Sequence, residues 1–260
     1  MKSSTALITG ASGGIGLELA TVCAQHGHDL ILVARSKERL QVVARNLEEV
    51  YNVAVTTIVQ DLARSDAVTQ LQHQLKDRHI DILINNAGFG LGGEFIEQDI
   101  DRLRDMIAVN ITALTELTRI FASQMTQQNR GRIMNVGSVA GFLPGPYMAV
   151  YHATKAYVLS FSEALAYELK DSNVSITALC PGPTKTNFAQ AAGVSAAQLF
   201  EDSRLMDART VARQGYKGMM TGKSVVITGV GNKLVAWAPR FLPRNLSNRS
   251  AAKAQEISHD

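Results

Sequence analysis

The chain has 260 residues, 46% of them hydrophobic and 19% charged, and a formal net charge of +3 at pH 7. These are the proportions of a soluble globular protein, and the length suffices for one large α/β domain that buries most of its apolar surface. The charge is too small to argue for nucleic acid or an anionic membrane. No apolar run approaches the ~18 residues of a membrane span. The N-terminus shows no secretion signal, so a cytoplasmic location is expected.

Taken in order, strands and helices alternate. Thr5 to Thr9 is a short apolar strand, followed by a glycine turn and a helix through Ala24. Asp29 to Ala34 reads as a strand, Lys37 to Val50 as an amphipathic helix, Val53 to Ile58 as a strand and Ala67 to Lys76 as a helix. Ile80 to Asn85 is a fourth strand, and two helices are expected between Asp99 and Thr126. Arg132 to Val136 is a fifth strand, Val150 to Leu169 a long helix, Val174 to Leu179 a sixth strand and Ser224 to Ile227 a seventh. Alternation of this kind specifies an α/β fold, a doubly wound parallel sheet of seven strands with helices on both faces. No repeat or linker divides it, so residues 1–260 read as a single Rossmann-like domain. A substrate lid is expected over about 187–207 and a helical tail over about 233–260. Cys23 falls on a predicted helix and Cys180 at a strand end, which reads as two buried free thiols. The six His show no metal-ligand spacing, and no metal is expected.

The glycine turn is Gly10-Ala11-Ser12-Gly13-Gly14-Ile15-Gly16. Strand, glycine turn and helix in this order build a phosphate cradle: the glycines let backbone approach a pyrophosphate, and the helix start offers unpaired N–H groups and the positive end of a dipole. A second glycine set, Gly88, Gly90 and Gly93, has the G-x-G-x-x-G spacing of the common fingerprint. No apolar helix opens on its last glycine, so it reads as a loop. Gly10, Asp61, Asn86, Ser138 and Pro181 each follow a predicted strand, and a doubly wound sheet gathers such positions on the rim where ligands bind.

Tyr151 and Lys155 lie four residues apart on the long predicted helix, with Ser138 upstream. The i, i+4 spacing puts a phenol and an ammonium on one helix face. A nearby cation favours an ionised phenol, so Lys155 is expected to lower the Tyr151 pKa from its ordinary ~10 toward the range a general acid–base needs. Ser138 would hold a carbonyl oxygen. Read alone, Tyr-x3-Lys also fits a solvated helix face. His152 points roughly 100° round the helix from Tyr151 and reads as packing.

Thr9-Gly10-x3-Gly14-x-Gly16, Asn85-Asn86-Ala87-Gly88, Asn110, Ser138, Tyr151-x3-Lys155 and Pro181-Gly182 occur here in one chain and in this order. The pattern resembles the short-chain dehydrogenase/reductase family over about residues 5–230. The resemblance implies hydride transfer between a nicotinamide dinucleotide and a carbonyl or alcohol, with Asn110, Ser138, Tyr151 and Lys155 catalytic and Asn110 keeping a water in a proton relay toward Lys155. For Asn110 a buried amide at a helix bend is the competing reading, and for Ser138 a turn cap. The resemblance further implies cofactor contacts from Gly10, Ser12, Gly14, Ile15, Gly16, Asp61, Leu62, Asn86, Ala87, Gly88, Tyr151, Lys155, Pro181, Gly182, Thr184 and Thr186. Helix capping is an equal reading for both threonines.

After the second strand the chain runs Ala34-Arg35-Ser36-Lys37, with no acid until Glu38 to bind a ribose 2′-hydroxyl. Arg35 suits a 2′-phosphate, with a hydroxyl added by Ser12, so NADP(H) is expected over NAD(H). The plain alternative is a solvated loop charge. Phe142, Tyr147, Phe188 and Met206, with Leu199 and Phe200, suggest an apolar substrate wall, and a hydrophobic ketone, aldehyde or β-ketoacyl thioester as substrate. The apolar and basic tail from Leu234 to Arg244 reads as a helix packed on the domain or a partner subunit, or as a peripheral lipid contact. A homodimer or homotetramer is implied by the resemblance. A non-catalytic dinucleotide sensor or scaffold, or an epimerase or dehydratase that retains its cofactor, are the alternatives.

Overall fold

The computed structural model describes residues 4–193 and 205–237. Seven parallel strands form one sheet in the order β3-β2-β1-β4-β5-β6-β7. They are β1 Thr5–Thr9, β2 Asp29–Ala34, β3 Val55–Val59, β4 Ile82–Asn85, β5 Gly131–Val136, β6 Val174–Cys180 and β7 Val225–Ile227. The helices are α1 Gly14–Gln25, α2 Lys37–Tyr51, α3 Ala67–Gln74, α4 Ile100–Ile107, α5 Leu114–Gln127, α6 Ala149–Glu168, α7 Phe188–Ala191, α8 Ala208–Met220 and α9 Val230–Trp237.

The central strands are mainly apolar, because both faces of the sheet are covered there, whereas the edge strand β3 is only partly buried. Successive side chains point to opposite faces, and the two cores divide accordingly. Ala6, Ile8, Leu30, Leu32, Ile82 and Ile84 pack under α1, α2 and α8, against Leu19, Leu40, Leu47, Val211 and Met219. Leu7, Ile31, Val33, Leu83, Ile133 and Ile176 face the other way, against Leu71 of α3 and Leu117, Phe121 and Met125 of α5. Strand order reverses between β1, which pairs with β2, and β4. That switch point opens the crevice above the carboxyl ends of the strands.

β4 begins at Ile82 rather than Ile80, and two further elements differ from the sequence reading. β3 starts at Val55 rather than Val53, because Asn52 ends α2 in the left-handed conformation at φ 54° and Ala54 spends its N–H on the Asp29 carboxylate at 2.9 Å. The two helices expected between Asp99 and Thr126 are joined without a break by a π-helical turn, Ala108–Ala113, which contains Asn110. Such turns concentrate at functional sites. Leu199, Phe200 and the tail beyond Trp237 lie outside the described residues.

Candidate active site

The glycine turn connects β1 to α1 at the switch point. Gly10 sits at φ +65°, and a Cβ there would lie 2.8 Å from the Ala87 Cα. A Cβ on Gly16 would collide with the Gly10 carbonyl, so the turn is closed to any other residue at both positions. α1 begins with Gly13 as its cap, no side chain bonds its first N–H groups, and no acid lies in its first turn. This leaves the helix start open to an anion. Ile15 packs against the core beneath. The residues thus fit the pyrophosphate of a dinucleotide.

Asn86 has a larger part than its motif suggested. Its side-chain N–H groups donate to the Thr9 and Gly10 carbonyls at 3.0 and 3.1 Å. The backbone N–H groups of Asn86 and Ala87 both donate to the Thr9 hydroxyl at 3.0 Å. The end of β4 therefore straps the glycine turn in place. Asp61 accepts the Ala63 N–H at 3.1 Å, and the Leu62 side chain is buried in the lower core. Gly88 lies beside Lys155, since a Cβ there would stand 3.5 Å from its ammonium nitrogen. The Gly88, Gly90 and Gly93 stretch is a loop, followed by a short 3-10 turn at Phe95–Glu97.

Across the crevice, Pro181 and Gly182 follow β6, and the Thr184 hydroxyl donates to the Gly182 carbonyl at 2.8 Å. Thr186 accepts the Phe188 N–H at 3.2 Å, which is a capping contact. Its methyl also faces the glycine turn, 3.2 Å from where a Gly14 Cβ would lie. Arg35 is exposed at the end of β2, with no hydrogen-bond or ion-pair partner among the described residues. Arg39 escaped the sequence reading. It lines a recess of about 300 Å³ with Ser12, Glu38, Val42 and Val43. The signal for it was its position one helical turn after Arg35.

Ser138, Tyr151 and Lys155 converge at the ends of β5 and β6. Ser138 caps a 3-10 turn, Val139–Phe142, accepting the Ala140 N–H at 3.1 Å, and its hydroxyl donates to the Pro181 carbonyl at 3.4 Å. The cap and the expected catalytic position fall on one side chain. Ser138 also lies near enough to the Tyr151 phenol to favour its ionised form. Lys155 is buried, donates to the Val136 carbonyl at 2.8 Å, and lies 5.8 Å from the Tyr151 ring centre. Asn110 clamps its surroundings: Oδ1 accepts the Phe89 N–H at 3.1 Å, and Nδ2 donates to the Phe89 carbonyl and the Thr154 hydroxyl, both at 3.0 Å. Both sides of the site, the Phe89 loop and α6, are thereby tied to the π-helical turn. His152 is buried with its Nδ1 against the Leu143 carbonyl at 2.9 Å, which holds the loop before α6.

The electrostatics depart from expectation in one respect. Burial pushes the Tyr151 phenol up to about 12, opposed only by the nearby Ser138 hydroxyl, and pushes the Lys155 ammonium down to about 8. The expected lowering of Tyr151 by Lys155 is absent from this state, because desolvation of the phenol outweighs it and the ammonium is turned to Val136. The cause of the burial is visible. Phe188 lies tilted against the Tyr151 ring at 48°, with 5.2 Å between ring centres, within an apolar group of Leu103, Met106, Met148 and Ala192. Gly90 makes room for that ring, since a Cβ there would lie 2.8 Å from Phe188 Cζ.

Among the described residues of the expected substrate wall, Phe188 packs its side chain on Tyr151. Tyr147 stands in the loop at φ +63°, its carbonyl accepting the Gly93 N–H at 3.0 Å. Phe142 packs instead toward Leu159, Ala178 and Cys180. Met206 joins the core under α1 and α8, its Sδ 3.5 Å from the Asn232 amide. Leu103, Met106 and Met148 were missed because their proximity to Tyr151 depends on how α4 crosses α6.

The model of the short chain dehydrogenase family matches residues 4–196. Among curated proteins, the chain is 36% identical over 180 residues to the very-long-chain 3-oxoacyl-CoA reductase of Neurospora crassa, covering 67% of this chain and 54% of that protein. The chain thus spans little more than half the length of such relatives. Among solved structures, it is similar to a short-chain dehydrogenase from Sphingobium yanoikuyae in complex with NADPH, at 35% identity and a TM-score of 0.83, with 99% of this chain and 97% of that one covered. It is also similar to the bulky-bulky ketone specific alcohol dehydrogenase of Comamonas testosteroni, at 32% identity and a TM-score of 0.79, covering 100% and 96%. With the seven-stranded sheet, the glycine cradle and the Ser138, Tyr151 and Lys155 cluster all in place, the chain belongs to the short-chain dehydrogenase family of nicotinamide-dependent oxidoreductases.

Proposed function

We propose that the protein reduces a bulky hydrophobic carbonyl compound, a ketone or a 3-oxoacyl thioester, to the alcohol with NADPH, or runs the reverse reaction. The observation that carries this reading is the Tyr151 phenol, near Ser138 inside an apolar enclosure and beside a buried lysine. A lining of Leu103, Met106, Met148 and Phe188 offers dispersion contact to an apolar substrate. Relatives whose names specify very-long-chain 3-oxoacyl-CoA and bulky ketones support the same substrate class.

The bound nicotinamide supplies the hydride. The chain itself orients the carbonyl and moves the proton. Ser138 and Tyr151 hydroxyls hydrogen-bond the carbonyl oxygen. Tyr151, with its pKa up to about 12, is fully protonated at neutral pH and donates that proton as negative charge develops on the oxygen. Lys155 stabilises the phenolate left behind. Water is kept from the reacting centre by Phe188 and Met148. Arg35 and Arg39, with the Ser12 hydroxyl, meet the 2′-phosphate, and this pair of guanidinium groups supports NADP(H) as the cofactor.

NADPH and NADH titrations followed by a panel of large hydrophobic ketones and 3-oxoacyl thioesters test the proposal. NADPH oxidation that depends on substrate, and falls by about 10²–10⁴ in Tyr151→Phe while NADPH affinity stays within a few-fold, is expected. Tight NADPH binding with no net oxidation across the panel would favour a sensor. Product formation without net cofactor consumption would favour an epimerase or dehydratase.

A further inference from the structure

Pro181 to Lys185 follow β6 at the rim of the crevice, and three distant segments hold them. On one side the Pro181 carbonyl accepts the Val139 N–H at 2.9 Å and the Ser138 hydroxyl at 3.4 Å. On another, Met206 forms a parallel bridge with Thr184. Its N–H donates to the Pro183 carbonyl and its carbonyl accepts the Lys185 N–H, both at 2.9 Å. The third segment is α9. The Asn232 amide lies over Gly182, where a Cβ would stand 2.2 Å from Nδ2 and 2.4 Å from Oδ1. The same amide donates to the Thr228 carbonyl at 2.7 Å and reaches the Met206 Sδ at 3.5 Å.

Gly182 is the telling position. Its φ lies outside the left-handed region, so its backbone conformation does not require glycine, and what excludes a side chain there is the Asn232 amide. Gly229 leaves room for the same group, since a Cβ on it would lie 2.9 Å from the Met206 Sδ and 3.1 Å from Asn232 Nδ2. Asn232 is itself partly buried. α9 packs as well against the Val139–Phe142 turn that Ser138 caps. We propose that Asn232 is a positioning residue for the dinucleotide. Seated on Gly182 and tied to Thr228 and Met206, it sets where the Pro181–Thr184 segment stands, and so shapes the nicotinamide side of the crevice. The assignment rests on the reading that the protein binds NADP(H). It makes the C-terminal helix a supporting wall of the cofactor site, which neither the glycine turn nor the Tyr151 cluster required.

The test is a double-mutant cycle on the full chain, with NADPH titrated calorimetrically into the wild type, Gly182→Ala, Asn232→Ala and the double variant, each well below its melting temperature. The new methyl of Gly182→Ala meets the amide directly, so NADPH affinity should fall about tenfold or more. Asn232→Ala alone loses the hydrogen bond to Thr228 and should weaken NADPH binding about fivefold, a readout that holds even if Gly182→Ala does not fold. In the double variant the obstacle is gone, and affinity should return to within about threefold of Asn232→Ala alone. Additive losses would overturn the inference, because Gly182 would then answer to the cofactor and not to Asn232. So would an Asn232→Ala protein with a lower melting temperature and unchanged NADPH affinity, since the amide would then serve stability alone. A wild type that binds neither NADPH nor NADH would remove the reductase reading along with this one, whereas wild-type binding without recovery in the double variant overturns this one only.

Discussion

Asn110 offers the sharpest separation between a structural and a relay role. The side chain is 1% exposed and makes three hydrogen bonds, two to the Phe89 backbone and one to Thr154. Asn110→Ala removes all three. Thr154 keeps its bond to the Tyr151 carbonyl at 2.7 Å, so the loss falls chiefly on the Phe89 N–H and carbonyl. An unpaired buried backbone group costs ~1–3 kcal/mol, and Phe89 is only partly buried, so water recovers some of that. The expected destabilisation is about 3 kcal/mol, read from urea unfolding with an unchanged m-value. Asn110→Asp keeps an acceptor for the Phe89 N–H but has no donor for the carbonyl, and should be no more stable. Because the clamp sets the Phe89 loop against α6, the KM for cofactor should rise in both variants. A loss below about 1 kcal/mol, with turnover reduced at constant KM, would refute the clamp and leave a relay role alone.

Lys155 has its pKa lowered to about 8, so its ammonium is present below that pH and lost above it. The value of kcat/KM for NADPH, which reports groups of the free enzyme, should therefore fall above pH ~8, although Tyr151 stays protonated; a profile flat to strongly alkaline pH would contradict this. Arg35→Asp should cut the NADPH-to-NADH preference by about a hundredfold, the size of a lost charge-assisted contact of ~3 kcal/mol. Arg39→Ala should weaken NADPH binding and leave NADH binding unchanged; equal effects on both cofactors would remove these side chains from the 2′-phosphate site. Gly90→Ala should displace the Phe188 ring and cost about 1–2 kcal/mol by overpacking. Adding Phe188→Ala should recover most of that in a double-mutant cycle, and strict additivity would show that the two positions do not touch in solution.

Much of the candidate site was legible because its signals are local. Glycines at Gly10 and Gly16 answer to a turn that admits no Cβ, and Tyr151 and Lys155 share a helix face by spacing alone. The doubly wound parallel sheet followed from alternation and crossover handedness, so the rim could be drawn before any contact was known. What stayed hidden depends on residues far apart in sequence. Asn86 straps the glycine turn across 76 positions, and Asn110 reaches Thr154 across 44, through a π-helical turn that no periodicity announces. Phe142 and Met206 have the composition of a substrate wall, yet packing sends them elsewhere.

The amino-acid sequence by itself determined the family, the doubly wound sheet and which side chains were candidates for the reaction, because propensity, periodicity and short-range spacing are properties of neighbouring residues. Only the tertiary structure decided the protonation balance of Tyr151 and Lys155, since desolvation is set by Phe188, Met148 and other groups brought in from distant segments. It likewise decided which apolar residues line the site and which face of α9 is left to solvent, because burial is a property of the folded whole and not of any one stretch of chain.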